Sequence, residues 1–146
     1  MARPAKPTHL KVLHGDQPSR INTQEPQPAV DPVRCPAWMS SKAKAMWREL
    51  APDLAGKGVL TAWDRHAFAA CCEAYVTWRV AQEDVDARGV LVSTKNGTVK
   101  NPALQVARDA MATFVSLASR FGLTPSDRSK LTVGEERVDA GERLLS

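Results

Sequence analysis

Between Asn101 and Phe121 the apolar side chains Leu104, Ala107, Met111, Phe114, Ala118 and Phe121 recur three and four residues apart. That spacing lays them along one stripe of an α-helix, and the stripe runs the whole length of the segment. Pro102 suits the first turn, where its missing N–H would be unpaired anyway. Gly122 can take the left-handed conformation that ends a helix, and Thr124-Pro125 then supplies an N-cap and first residue for another. A seam this long is kept in water only if a second helix of similar length lies against it.

The partner is upstream. Thr61 to Asp64 resembles a capping box with Asp64 in the acidic position, and the pattern then runs helical to about Arg88, where Gly89 stops it. Trp63, Ala67, Ala70, Ala74, Trp78, Ala81 and Val85 form its expected seam, flanked by Phe68, Cys71 and Tyr75. Small residues in that seam permit close approach of two helices. Between the helices, Val90-Leu91-Val92 and Thr98-Val99 flank Asn96-Gly97, a hairpin signal. Two strands alone are marginal, so the hairpin must lean on the helices or on a neighbouring subunit. Upstream again, Ser40 caps a first helix carrying Met46, Trp47 and Leu50, with Trp38 expected as a hydrophobic staple. Ala51-Pro52, Gly56 and Gly58 are expected to interrupt this helix. The fold class is mainly α: a long antiparallel helix pair joined by a short β-hairpin, smaller helices at one end, and disordered N- and C-terminal tails.

Seven of the ten prolines lie between Pro4 and Pro36 among polar residues. Each pushes the preceding residue out of the helical region, so residues 1–35 read as a proline-rich basic arm without fixed structure. The helical core spans 36–131, and 132–146 form an acidic tail. Charge follows the same division. Met1 to Gly15 carries Arg3, Lys6 and Lys11 with no acid, and Ser40 to Arg48 carries Lys42, Lys44 and Arg48 with none. From Gly134 onward four acids face two bases. A basic front and acidic tail fit a polyanion at one end and a protein at the other, although solvated faces would look the same.

No catalytic constellation stands out. His9, His14 and His66 are scattered, and neither GxxxxGK[ST] nor GxGxxG occurs. Glu83, Asp84 and Asp86 diverge around a helix, which fits a solvated face better than a metal site. Cys35, Cys71 and Cys72 are odd in number, and the last two are adjacent on a helix. Together they argue against a disulfide framework and for a reducing cytoplasm. No Cys/His spacing suits zinc, no cofactor motif is present, and no apolar run approaches the length of a membrane span. The chain reads as a non-enzyme.

A DNA-binding reading has more behind it. Lys44 and Arg48 share a helix face with Lys42 to one side, and the arm adds Arg3, Lys6, Lys11 and Arg20. Such cations neutralise phosphates without reading bases. The fallback set is Lys95, Lys100, Arg120, Arg128 and Lys130, scattered over the hairpin and two helices. The gap from Leu50 to Thr61 is long for a helix-turn-helix. Trp63, Trp78, Met111, Phe114 and Phe121 are the candidate core or subunit-interface residues. Trp47, Trp63 and Trp78 could pass for base-stacking residues, but their place on apolar seams favours packing.

Three blocks in order also resemble the small subunit of a tailed-phage or prophage terminase. Leu10, Lys11, Leu13 and Gly15 match its "LK-x-L-x-G" stretch. Trp47, Leu50, Pro52, Leu54, Gly58, Leu60, Thr61 and Asp64 match a "W-x-x-L-x-P-x-L-x-x-x-G-x-L-T-x-x-D" block. Asn101-Pro102 opens a helix that ends in Phe121-Gly-Leu-Thr-Pro125. The resemblance implies a non-catalytic component of the viral packaging motor, acting in the host bacterial cytoplasm. It implies a cyclic homo-oligomer on double-stranded DNA at the packaging initiation site. It also implies recruitment and regulation of the terminase large subunit, the ATPase and nuclease, with the portal as a further candidate partner. Two other readings stay open: a cytoplasmic helical adaptor that never touches DNA, and a small transcriptional regulator.

Overall fold

The computed structural model describes residues 31–128 together with Gln24, Pro26 and Pro28. It is mainly helical: α1 (Ser41–Gly56), α2 (Arg65–Arg88), β1 (Leu91–Thr94), β2 (Gly97–Lys100), α3 (Ala103–Arg120) and α4 (Pro125–Arg128). The long pair α2 and α3 is joined by the β1–β2 hairpin, as the two seams require. The arm to Thr23 and the residues from Ser129 onward lie outside the described residues. With them lie the expected docking role of the tail and the placement of Arg3, Lys6, Lys11, Arg20 and Lys130.

Caps set the helix ends. Ser40 Oγ accepts from the Ala43 N–H at 3.3 Å, starting α1 where the sequence places it. At the far end the Gly58 N–H reaches the Ala55 carbonyl and the Val59 N–H reaches that of Leu54, a Schellman closure with Gly58 at φ 67°. Gly122, at φ 66°, closes α3 the same way, its N–H on the Ser119 carbonyl and that of Leu123 on Ala118. One expectation fails here. Pro52 does not interrupt α1 but sits inside it. An internal proline costs about 3 kcal/mol. Carrying the helix past it buries Ala51 and Leu54 on the stripe of Ala43 and Trp47, and brings Leu60 inside. Burial of the two leucines alone is worth about 3–6 kcal/mol, so the helix continues.

Two packing regimes follow along α2. At its start α1 and the end of α3 both lie against it, around Trp47, Phe68 and Phe121. Phe68 meets Trp47 and Phe121 at ring-centroid distances of 5.1 Å each. Farther on, α2 and α3 approach through Ala74, Ala81, Val85 and Ala107, with Tyr75, Trp78 and Phe114 interlocked at one side. The second half of the expected α2 seam therefore holds and the first half is turned. Phe68, Ala69, Cys71 and Cys72 face inward while Ala67 and Ala70 face water. Two neighbours rather than one select the face with the bulkier side chain. Trp63 is not on α2 at all; it stands in the turn before it, 62% exposed. Asp64 does reach back, its Oδ2 accepting from Thr61 N–H at 3.0 Å and Thr61 Oγ1 at 2.6 Å, but Asp64 itself is the N-cap and the helix starts only at Arg65, beyond the box. Trp38 is no staple either. Met39 takes the buried position and Trp38 stays 61% exposed.

The hairpin pairs Leu91 with Lys100 and Thr94 with Gly97. Its turn is Lys95-Asn96, one residue before the expected Asn96-Gly97. The Thr94 hydroxyl donates to the Gly97 carbonyl and accepts from the Asn96 N–H, and Gly97 alone carries the positive φ, 113°. Asn101, the one buried polar residue described, ties the hairpin base to both helices. Its N–H donates to Val90 O, its Nδ2 to Gly89 O and to Asp84 Oδ1, and its Oδ1 accepts from Ala103 N–H. The strands themselves are almost wholly exposed.

Candidate nucleic-acid interface

The first two turns of α1 present the basic cluster. Lys42 and Arg48 are exposed and make no ion pair among the described residues. At 100° per residue they flank a strip whose middle is Ser41 and Ala45, small side chains that let a polyanion backbone come close. Lys44 is engaged differently. Its Nζ donates to the Ala37 carbonyl at 2.8 Å, tying the segment before α1 to the helix. Of the expected trio, two cations are left to face outward.

The acids at this end are mostly committed inside the molecule. Glu73 accepts from Ser40 N–H and Oγ at 2.6 and 3.0 Å, Asp64 is held by Thr61, and Asp53 pairs with Lys57 at 2.6 Å. Arg34, Lys42, Arg48 and Arg65 have no such carboxylate partner among the described residues. Glu49 is the counterweight: it is exposed and lies on the Lys42 face about 10 Å farther along the axis. The result is a local positive bias where α1 meets α2. The fallback cations divide. Lys95 and Lys100 stand on the hairpin, at the other end of an α2 about 35 Å long. Arg120 and Arg128 stand at the end of α3 and on α4. The structure does not gather them into one patch.

A second surface is apolar. Val106, Met111 and Val115 of α3 are 48, 42 and 50% exposed, Val106 on one flank of the helix and the other two on the opposite flank, and Val80, Val90, Leu91 and Val99 are exposed too. Around the helix, the apolar arc from Val106 through Ala118 to Val115 covers about half the circumference. α2 covers its middle and leaves both flanks open. Trp78, half-buried, lines with Leu104, Met111, Lys100 and Arg108 a shallow cleft of about 260 Å³ on this side. Of the candidate packing residues, Phe121 is in the core, Phe114 and Trp78 are half-buried, and Met111 and Trp63 are exposed.

Burial pushes the Cys71 thiol up to about 11 and the Cys72 thiol to about 12, far from a reactive thiolate. Among the described residues no three His, Cys, Asp or Glu side chains are placed to share a metal ion. No described helix is long and apolar enough to cross a membrane.

A family model described as phage terminase, small subunit, matches residues 43–137, which is most of the chain. The chain belongs to the phage terminase small subunit family. Its general role is in phage DNA packaging, in a family that is generally the non-catalytic DNA-recognition subunit, acts in the host cytoplasm and has DNA and the large terminase subunit as partners. The matched region runs from Ala43, two residues into α1, through α4, and leaves out Lys42 and the Leu10 to Gly15 stretch. No curated protein and no solved structure matches the chain.

Proposed function

We propose that this protein recognises viral DNA at the packaging initiation site as a closed ring of identical subunits and recruits the large ATPase–nuclease subunit to it. The observation that carries this reading is the separation of two uncovered surfaces on one chain. A cationic strip lies on α1, and an apolar flank of α3 with the hairpin lies toward the other end of α2. The apolar flank suits a second copy, because one antiparallel pair cannot cover an arc that wide. Residues 36–131 act as the core that binds DNA and assembles, with Trp78 and Met111 at the subunit contact. Lys42 and Arg48 neutralise phosphates, together with Arg3, Lys6, Lys11 and Arg20 of the arm 1–35. Each subunit supplies few contacts, and ring closure multiplies them through effective concentration. The acidic tail 132–146 docks the large subunit, with Leu144 and Leu145 as its apolar anchors.

Native mass spectrometry of the full chain at micromolar concentration, with and without duplex DNA, tests the reading. The expected result is one discrete closed oligomer that retains a duplex. A folded, monodisperse monomer would overturn it.

A further inference from the structure

Two large aromatic side chains are left in water while residues near them in the chain are buried. Trp38 is 61% and Trp63 62% exposed, although Met39, next to the first, is fully in the core, and so is Phe68, shortly after the second. Buried tryptophans remove 150–250 Å² from water, roughly, and leaving two outside forgoes that gain. Both stand at the start of α2. Trp38 stacks on His66 of the first turn, with ring centroids 6.4 Å apart and planes 6° from parallel. Trp63 is in the turn that leads into α2. Arg65, directly before His66, donates from Nε to His66 Nε2 at 3.1 Å.

Neither tryptophan rides on a loose loop. The Trp38 segment is fastened by Lys44 Nζ on the Ala37 carbonyl and by Ser40 on the Glu73 carboxylate. The Trp63 turn is closed by the Asp64 N–H on Thr61 O and by Thr61 on the Asp64 carboxylate. Exposed aromatic rings on pinned backbone are pre-organised, so a planar ligand would not have to order them. The same bonds occupy the Glu73 and Asp64 carboxylates, while Arg34, Lys42 and Arg65 stay free of ion pairs among the described residues.

We propose that Trp38, stacked on His66, together with Trp63 in the turn three residues before that histidine, forms a stacking site for unpaired bases, a single-stranded DNA site that works through ring faces where the strip on α1 works through phosphate-binding cations. Flat π-faces, with the Arg65 guanidinium on His66 and Lys42 four residues after Trp38, fit a nucleic acid whose bases are splayed out, which a paired and stacked duplex does not offer. An apolar peptide would want an uncharged border instead. The inference rests on the DNA-binding reading for its biological setting but not for its test.

The test compares an oligothymidine with a blunt duplex of equal length, at one salt concentration, using the full chain. Trp38→Ala and Trp63→Ala should each weaken oligothymidine binding by about tenfold while duplex binding stays unchanged, and Trp→Phe should restore most of the loss. If the alanine variants lose their helical circular dichroism, the phenylalanine variants and the wild type decide the matter. Irradiation of 5-iodouracil oligonucleotide on the wild type should then crosslink Trp38 or Trp63. Crosslinks elsewhere, equal losses on both DNAs, or unchanged oligothymidine binding overturn the proposal. Loss of assembly or of large-subunit stimulation with DNA binding intact also overturns it, and makes the surface a protein interface. A wild type that binds duplex but no single strand ends this inference and leaves the packaging role standing.

Discussion

Replacing Asn101 tests how the hairpin is held between the helices. Its side chain is 1% exposed and makes three hydrogen bonds, to Gly89 O at 3.0 Å, Asp84 Oδ1 at 3.2 Å and Ala103 N at 3.0 Å. Asn101→Leu keeps the volume and removes all three. Asp84 keeps Arg88 as a partner and is half in water, so little of the cost falls there. The Gly89 carbonyl and the Ala103 N–H lose their partner against a buried side chain, and each orphaned group costs about 1–3 kcal/mol. The expected total is about 3 kcal/mol, a large share of the 5–15 kcal/mol or so that holds a domain of this size together. Urea unfolding followed by circular dichroism should show the midpoint falling with an unchanged slope, at fixed protomer concentration because assembly also stabilises. A loss below about 1 kcal/mol would mean that water or a backbone shift satisfies these groups, and that the clamp is not what positions the hairpin. Acid adds a second readout. Hydrogen bonds from Arg88 and then Asn101 hold the Asp84 carboxyl below the usual aspartate range. A depressed pKa contributes stability that is complete above the unfolded value of about 3.9 and is lost as pH falls through the folded one. Asn101→Leu should therefore shallow the acid limb of the stability curve below about pH 4.

Trp78→Ala should cost about 2 kcal/mol in the isolated subunit, because the ring is only half-buried there, and about 3–5 kcal/mol if assembly completes its burial; unfolding measured across a dilution series separates the two. Lys42→Ala or Arg48→Ala should lower the slope of log affinity against log salt by about 0.9 for each subunit engaged, equally on cognate and scrambled duplexes. Lys44→Ala should change that slope less and stability more, since its Nζ is spent on Ala37; an unchanged slope in the first two would move the interface to the hairpin lysines. Iodoacetamide at neutral pH should label Cys35 alone in the folded protein, and Cys71 and Cys72 only in denaturant, because burial suppresses their thiolates; rapid labelling of all three would show the core opening.

Much of the α2–α3 pair was legible in advance. The Leu104 to Phe121 stripe, the Gly89 and Gly122 stops and the Ser40 cap are local facts: spacing, a missing Cβ and a short hydroxyl act within a turn or two of chain. The sequence alone therefore determined which stretches are helical, where most of them end, and that a hairpin joins the long pair. It also carried the family, through motifs spread over α1 and α3. What it could not hold was the outcome of competition between distant groups. Pro52 stays helical because Leu54 and Leu60 find a core made by other helices. α2 turns Phe68 rather than Ala67 inward because α1 and α3 both press on that end. Asn101 could be read as part of an Asn-Pro start, but its bonds to Gly89 and Asp84 exist only once two helices converge. Lys44 was one of three equivalent cations until Ala37 came within 2.8 Å of it, and Trp38 and Trp63 were seam or staple until packing left them outside. Local propensity depends on neighbours a few residues away, whereas burial and pairing depend on whatever the fold brings alongside, and only the tertiary structure decides that.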